Sequence, residues 1–190
     1  MNITDNAALV VVDFQGGDLA DSAYPGHAAD AARRLVAECR ETGVPVVWIQ
    51  EVHKPHLADI GRELDGSEGP HCIEGEPGTE LLTGLSPAED EFLIQKRRYS
   101  AFFATELDIV LRNYGVDSLL LIGGFTDICV LYTAVDAHQR DFRINVLSDV
   151  VAGSSDQAHD DALNMIDQLQ DNVVVNADEA FAWLRTRAAA

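Results

Sequence analysis

Ser118-Leu119-Leu120-Leu121-Ile122-Gly123-Gly124-Phe125-Thr126-Asp127-Ile128-Cys129-Val130 is the stretch on which the fold turns. Its apolar run shows no alternation, so it reads as a strand covered on both faces. The glycine pair marks a turn, and the residues after Cys129 read as a helix. A thiol at a strand-to-helix turn meets the positive end of the helix dipole, which favours thiolate and leaves backbone N–H groups to hold an anion. In an α/β protein this is a position for a nucleophile. Taken alone, the same cysteine reads as a small buried hydrophobe.

Working outward, residues 7–12 form another continuous apolar run, which ends at Asp13, and residues 44–49 form a further one. Residues 91–95, which end at Lys96, and residues 142–147 and 172–175 complete six predicted strands. Helical patterns occupy 27–42, 105–114, 127–140, 156–170 and 178–187, the first two closed by Gly43 and Gly115. This alternation predicts an α/β fold: a doubly wound, mostly parallel six-stranded sheet with helices on both faces. A chain of 190 residues suits a single domain over 1–190. Residues 51–84 break the rhythm, being polar, rich in Gly, Pro and His, and weakly periodic. A loop that long inside a compact domain is expected to be functional or lid-like.

Composition narrows the partners. Thirteen basic residues stand against 32 acidic ones, for a net charge of −19. That balance argues against nucleic-acid binding, which needs a basic face, and against adhesion to anionic membranes. The apolar runs are too short to span a bilayer. Eleven of the 13 basic residues are Arg, and Asp outnumbers Glu. Such a surface fits a high-salt cytoplasm or simply an acidic soluble protein, and both readings stay open. Three cysteines, an odd number, without a recognisable signal peptide point to free thiols and a cytoplasmic location.

Three predicted strands end in chemically loaded residues: Asp13, Lys96 and Cys129. In a doubly wound sheet the C-terminal strand ends form the active edge, so all three are expected there. A carboxylate to take a thiol proton, an ammonium to orient the pair, and a thiolate to attack a carbonyl make chemical sense together. Lys96 is one of only two Lys, which suggests that a point charge is wanted rather than a guanidinium fork. Singly, a strand-end Asp is often a turn residue and a Cys often core. Their joint placement favours function.

Val11-Val12-Asp13-Phe14-Gln15, Lys96-Arg97-Arg98-Tyr99-Ser100-Ala101-Phe102 and Gly124-Phe125-Thr126-Asp127-Ile128-Cys129-Val130 resemble, in order, the three signature blocks of the isochorismatase-like cysteine hydrolases, the family of the nicotinamidases and N-carbamoylsarcosine amidase. The resemblance implies an Asp13–Lys96–Cys129 triad and a cis peptide between Gly124 and Phe125. It also implies an oxyanion hole from the backbone N–H groups of Phe125 and Cys129. The implied activity is hydrolysis of a C–N bond in a small amide, carbamoyl or ureide substrate through a thioester, with release of ammonia. The implied assembly is a homodimer or homotetramer. Members commonly continue Asp-x-Gln-Asn-Asp-Phe, whereas this chain reads Asp13-Phe14-Gln15-Gly16-Gly17-Asp18. The aromatic that often stacks on substrate is missing there, and Tyr24, Tyr99 or Phe102 would have to substitute. Gln15, Arg62, Tyr99 and Phe102 are the candidate substrate contacts, Arg62 either as a bidentate clamp on a carboxylate or ureide oxygen or as a surface residue in a loop.

Glu51-Val52-His53 and Gly69-Pro70-His71-Cys72-Ile73-Glu74-Gly75-Glu76-Pro77-Gly78 resemble the segments with which nicotinamidases hold a divalent metal. Glu51, His53 and His71 are therefore candidate ligands for Zn, Fe or Mn. Alternatively no cofactor is required, and these side chains contact substrate or one another. His56 and Cys72 lie close enough in sequence to complicate the ligand set. His27, His138 and His159 read as ordinary helix residues, and Cys39, Trp48 and Trp183 as core. Two other functions stay open: a vinyl-ether hydrolase of the isochorismatase type, in which Asp13 is the acid, and a non-catalytic binding protein on the same fold.

Overall fold

β1 (Ala7–Val12) and β4 (Ser118–Gly124) lie side by side at the centre of a six-stranded, wholly parallel sheet. The computed structural model describes residues 1–17, 24, 26–66 and 69–188. β2 (Val46–Glu51) and β3 (Phe92–Lys96) extend the sheet beyond β1, and β5 (Arg143–Ala152) and β6 (Val174–Val175) extend it beyond β4, in the order β3-β2-β1-β4-β5-β6. Successive strands run one way from β1, and then the chain returns to β1's other side with β4. The gap between β1 and β4 is thus the switch point of the sheet, where doubly wound folds bind ligands.

The unbroken apolar runs are explained by burial on both sides. Ala8, Val10 and Val12 of β1 and Leu119 and Leu121 of β4 face one core; Leu9, Val11, Leu120 and Ile122 face the other. The first core is closed by α2 (Leu107–Asn113), α3 (Leu131–Gln139) and α4 (Asp156–Asp167). The second is closed by α1 (Gly26–Glu41) and α5 (Ala177–Ala188), which supply Leu35, Cys39, Phe181 and Leu184. Cys39 and Trp48 are fully buried, as expected for core residues, and Trp183 packs half-buried against the same core.

Two elements differ from expectation. β5 runs to Ala152 rather than ending near residue 147. Ser148 and Asp149 look like a strand end because they are polar, yet Ser148 Oγ donates to the Val175 carbonyl (3.0 Å) and Asp149 accepts from the Ala177 N–H (2.8 Å). The helix expected over 127–140 begins instead as a π turn, Thr126–Val130, and becomes α-helical only at Leu131.

The long segment after β2 holds little regular structure but is tied down by the backbone. His53 bridges Ile73 in a short parallel ladder, its N–H donating to the Cys72 carbonyl (2.7 Å) and its own carbonyl accepting from Glu74 (2.8 Å). Leu81 pairs antiparallel with Gln15. Among the described residues no helix is long and apolar enough to cross a membrane.

Candidate active site

Asp13, Lys96 and Cys129 come together from three strand ends. Asp13 follows β1 with φ at +48°, a left-handed turn that Asp tolerates better than most residues. Lys96 is the last residue of β3, and Cys129 lies in the π turn after β4. Close approach of β4 to β1 depends on Gly123, whose φ is +121° and whose absent Cβ would sit 1.8 Å from the Val12 carbonyl oxygen. Any side chain there would prise apart the two strands that present the acid and the thiol. The peptide between Gly124 and Phe125 is cis.

The Lys96 ammonium is the hub. Its Nζ lies 2.8 Å from Asp13 Oδ2 and 3.3 Å from Cys129 Sγ, and it also pairs with Glu51 Oε2. Cys129 Sγ is 3.6 Å from that same Glu51 oxygen. Lys96 is only 1% exposed, so these charges meet away from water. Burial alone would discharge it, but attraction to Asp13, Cys129 and Glu51 outweighs burial and holds it well above the usual lysine range. Burial raises Asp13, with Glu51 adding and Lys96 opposing. A carboxylate moved up from its ordinary value is better matched to accepting a proton near neutrality.

The thiol departs from the sequence expectation. The helix dipole suggested a thiolate, but burial, followed by repulsion from Asp13 and Glu51, pushes Cys129 well above the normal thiol range despite Lys96. Burial thus favours the thiol form of Cys129, which lies beside the Asp13 carboxyl. The turn that carries Cys129 is itself pinned to the start of α4. Asp127 accepts from the Ser154 N–H (2.8 Å) and Oγ (2.6 Å), and Thr126 Oγ1 lies 2.9 Å from His159 Nδ1. His159 lies near the start of its helix, as expected, and also supports this turn.

A cavity of about 150 Å³ opens over the trio, lined by Asp13, Cys129, Tyr24, Tyr99, Phe125 and Ile128 among others. Of the expected substrate contacts, Tyr99 lies on this wall, its ring 5.5 Å from that of Tyr132. Gln15 also borders the cavity, but its side chain is a strut. Its amide donates to the Glu51 (3.0 Å) and Thr79 (2.8 Å) carbonyls and accepts from the Glu51 N–H (2.9 Å). Two expectations are corrected. Phe102 is buried in the core, 5.9 Å from the Phe142 ring, because its apolar ring is better covered there than at a polar mouth. Arg62 points into solvent with its side chain 95% exposed, paired to Asp65 at 2.8 Å, which is the surface-residue alternative and not the clamp. Tyr24, like Tyr99 a candidate substitute for the missing aromatic, also lies on the cavity wall. Its ring stacks on Phe14 with centroids 4.2 Å apart, and its hydroxyl donates to the Asp13 carbonyl (2.6 Å). A Cβ at Gly124 would come within 2.7 Å of that hydroxyl, so glycine is what lets the tyrosine settle over the turn.

Beside the trio, Glu51, His53 and His71 converge as expected, joined by Glu63, and donor atoms of all four lie within 4.8 Å of one another. Glu63 gave no signal beyond being an acid in an aperiodic loop; only folding brings it here. His56 and Cys72 are not part of the cluster. The donor set fits a divalent cation. His71 Nδ1 lies 2.8 Å from the Gly69 carbonyl oxygen, which it meets as a donor, so a neutral ring turns an Nε2 lone pair toward Glu51 Oε1 at 3.0 Å. A nitrogen lone pair facing a carboxylate at that distance calls for a positive charge: a proton or a metal. Both Glu63 oxygens are buried without a hydrogen-bond partner among the described residues. Burial and then Glu51 raise the Glu63 carboxyl, while Glu51, opposed by burial, is drawn well down by His53, His71 and Lys96. Glu51 thus touches both centres, Lys96 with one oxygen and the histidines with the other.

The fold and this trio define a class: a doubly wound α/β protein with a thiol centre at its switch point. The family model for the isochorismatase domain matches residues 7–179, and the chain belongs to the isochorismatase family. It is 33% identical over 180 residues to a maleamate amidohydrolase of Pseudomonas putida, covering 90% of this chain and 84% of that protein. It is 30% identical over 190 residues to a probable inactive nicotinamidase of Arabidopsis thaliana, covering 94% of each. Among solved structures, N-carbamoylsarcosine amidase from Thermoplasma acidophilum superimposes with a TM-score of 0.77 at 33% identity, covering 91% of this chain and 97% of that one.

Proposed function

We propose that this protein hydrolyses the C–N bond of a small amide, carbamoyl or ureide substrate through a thioester on Cys129, releasing ammonia. The observation that carries the reading is the buried contact of Lys96 with both Asp13 (2.8 Å) and Cys129 (3.3 Å) beneath a small cavity. Asp13 takes the thiol proton as Cys129 Sγ attacks the carbonyl carbon. Lys96 keeps both developing anions paired in a site too dry to solvate them. The backbone N–H groups of Phe125 and Cys129 receive the carbonyl oxygen as it becomes an oxyanion. Asp13 returns its proton to the departing nitrogen, and ammonia leaves. Water then attacks the thioester, giving a proton to Asp13, and the acid product departs as the thiol reforms.

Glu51, His53, Glu63 and His71 are the residues that would hold a divalent metal, which would supply a Lewis-acidic anchor for a lone pair of the substrate. The relatives named as amidohydrolases and amidase support amide chemistry. One relative is named as probably inactive. In this chain the acid, the ammonium and the thiol are all in contact, which favours catalysis over a silent binding role.

Incubation with a panel of small amides and ureides, followed by intact-mass spectrometry and an ammonia assay, tests the reading. An acyl adduct mapped to Cys129, lost with ammonia release in Cys129→Ala, is the expected result. Full activity in Cys129→Ala would sink the nucleophilic mechanism and favour acid-only chemistry by Asp13.

A further inference from the structure

We propose that the site selects an uncharged substrate and rejects one bearing a carboxylate near the scissile bond. This rests on the amide-hydrolase reading above and narrows it. It follows from where the cations are. The chain has 13 Lys and Arg, and residues 18–23, 25, 67–68 and 189–190 include none of them. Among the described residues no Arg lines the cavity, and Lys96 is the one ammonium in contact with its reactive groups. Lys96 is already divided between Asp13 and Glu51.

The cations nearest in sequence to the site residues are engaged elsewhere. Arg62 is solvent-exposed and holds Asp65. Arg97 binds Asp59 at 2.8 Å, Arg98 donates to the Asp59 carbonyl at 2.7 Å, and Lys54 holds Glu74 at 2.8 Å. The cavity wall meanwhile carries two carboxylates, Asp13 and Glu51, beside Tyr24, Tyr99, Phe125 and Ile128. The imidazole on the same wall, His71, already faces Glu51 and Glu63. An entering carboxylate would lose water, meet two like charges and find no guanidinium to pair with. An uncharged amide meets aromatic and aliphatic walls at no such penalty.

Iodoacetamide and iodoacetate differ only in amide against carboxylate, and Cys129 itself reports which enters. Peptide mass mapping after timed exposure, with and without a chelator, gives the two alkylation rates, each divided by the same reagent's rate with free cysteine. Cys129 is expected to favour iodoacetamide at least ~30-fold, equivalent to about 2 kcal/mol. Ile128→Lys, which adds an ammonium to the wall, is expected to shrink that preference at least ~10-fold. Ammonia release should likewise favour succinamide over succinamate. Equal or faster alkylation of Cys129 by iodoacetate, or faster hydrolysis of succinamate, overturns the proposal. Charge-selective alkylation with ammonia from neither amide nor any of the wider panel would sustain the selectivity and overturn the amidase reading beneath it. Modification of Cys72 with Cys129 untouched by both reagents would overturn the placement of the thiol in the cavity.

Discussion

Replacing Lys96 with Met keeps the length and the apolar stem of the side chain but removes the charge at the hub of the site. Lys96 Nζ sits 2.8 Å from Asp13 Oδ2. At an effective dielectric of about 20 that contact alone is an attraction of about 6 kcal/mol, part of which offsets the cost of taking both ions out of water. Removing one partner leaves Asp13 and Glu51, both buried, without the ammonium that both of them contact. Breaking a buried pair in this way costs about 3–5 kcal/mol, or roughly 6–20 °C in melting temperature for a chain of this size.

The loss should depend on pH. In Lys96→Met at least one of the two carboxyls has a folded-state pKa raised above its unfolded value near 4. A raised acid pKa means that stability is fully present below the unfolded pKa and is lost as pH rises through the folded one. The variant should therefore approach the wild type near pH 4–5 and fall away from it by about 3–5 kcal/mol toward pH 8. Urea unfolding followed by circular dichroism across that range, with chelator present, measures the gap. A deficit under about 1 kcal/mol at pH 8, or one that stays constant from pH 5 to 8, would refute the electrostatic account of this site.

Two further outcomes are expected. Glu63→Gln should weaken zinc or manganese binding at least ~10-fold by calorimetry, yet leave the metal-free protein as stable as the wild type or more so. The reason is that it replaces a buried carboxylate whose oxygens find no donor among the described residues; unchanged metal affinity would remove Glu63 from the cluster. Burial pushes the Cys39 thiol up to about 12, from an ordinary value of 9.0. Because the folded value is the higher one, stability is complete below pH 9 and declines through to pH 12, by about 4 kcal/mol in all. Cys39→Val should flatten that decline in urea titrations, and an equally steep profile in the variant would assign it to other groups.

The parts of this molecule that were legible beforehand share a physical cause. Residues 7–12 and 118–122 lie in the middle of the sheet, where both faces are covered, so the whole requirement for burial is written into a few adjacent side chains. The same logic located Asp13, Lys96 and Cys129, since a parallel sheet delivers every strand's C-terminal end to one edge. β5 was under-read because Ser148 and Asp149 satisfy their polar groups on β6 and α5, partners that a local window does not include. Phe102 and Arg62 lie away from the cavity for different reasons. An aromatic six residues after a signature lysine is as useful to the core as to a substrate, and a guanidinium in a loop is satisfied by an acid three residues away.

By itself, then, the chain's pattern of apolar runs and strand-end residues determined the doubly wound parallel sheet and put Asp13, Lys96 and Cys129 along one edge of it, because these depend on local periodicity and on a general rule of parallel sheets. Tertiary structure alone decided the rest. It placed Glu63 with Glu51, His53 and His71, folded Tyr24 over Gly124, and buried Cys129 so that its thiol is pushed up where the turn's dipole would lower it. Each of these depends on which distant groups share a small, dry volume. In such a volume desolvation and unscreened charge outweigh the local helix dipole that the sequence displays.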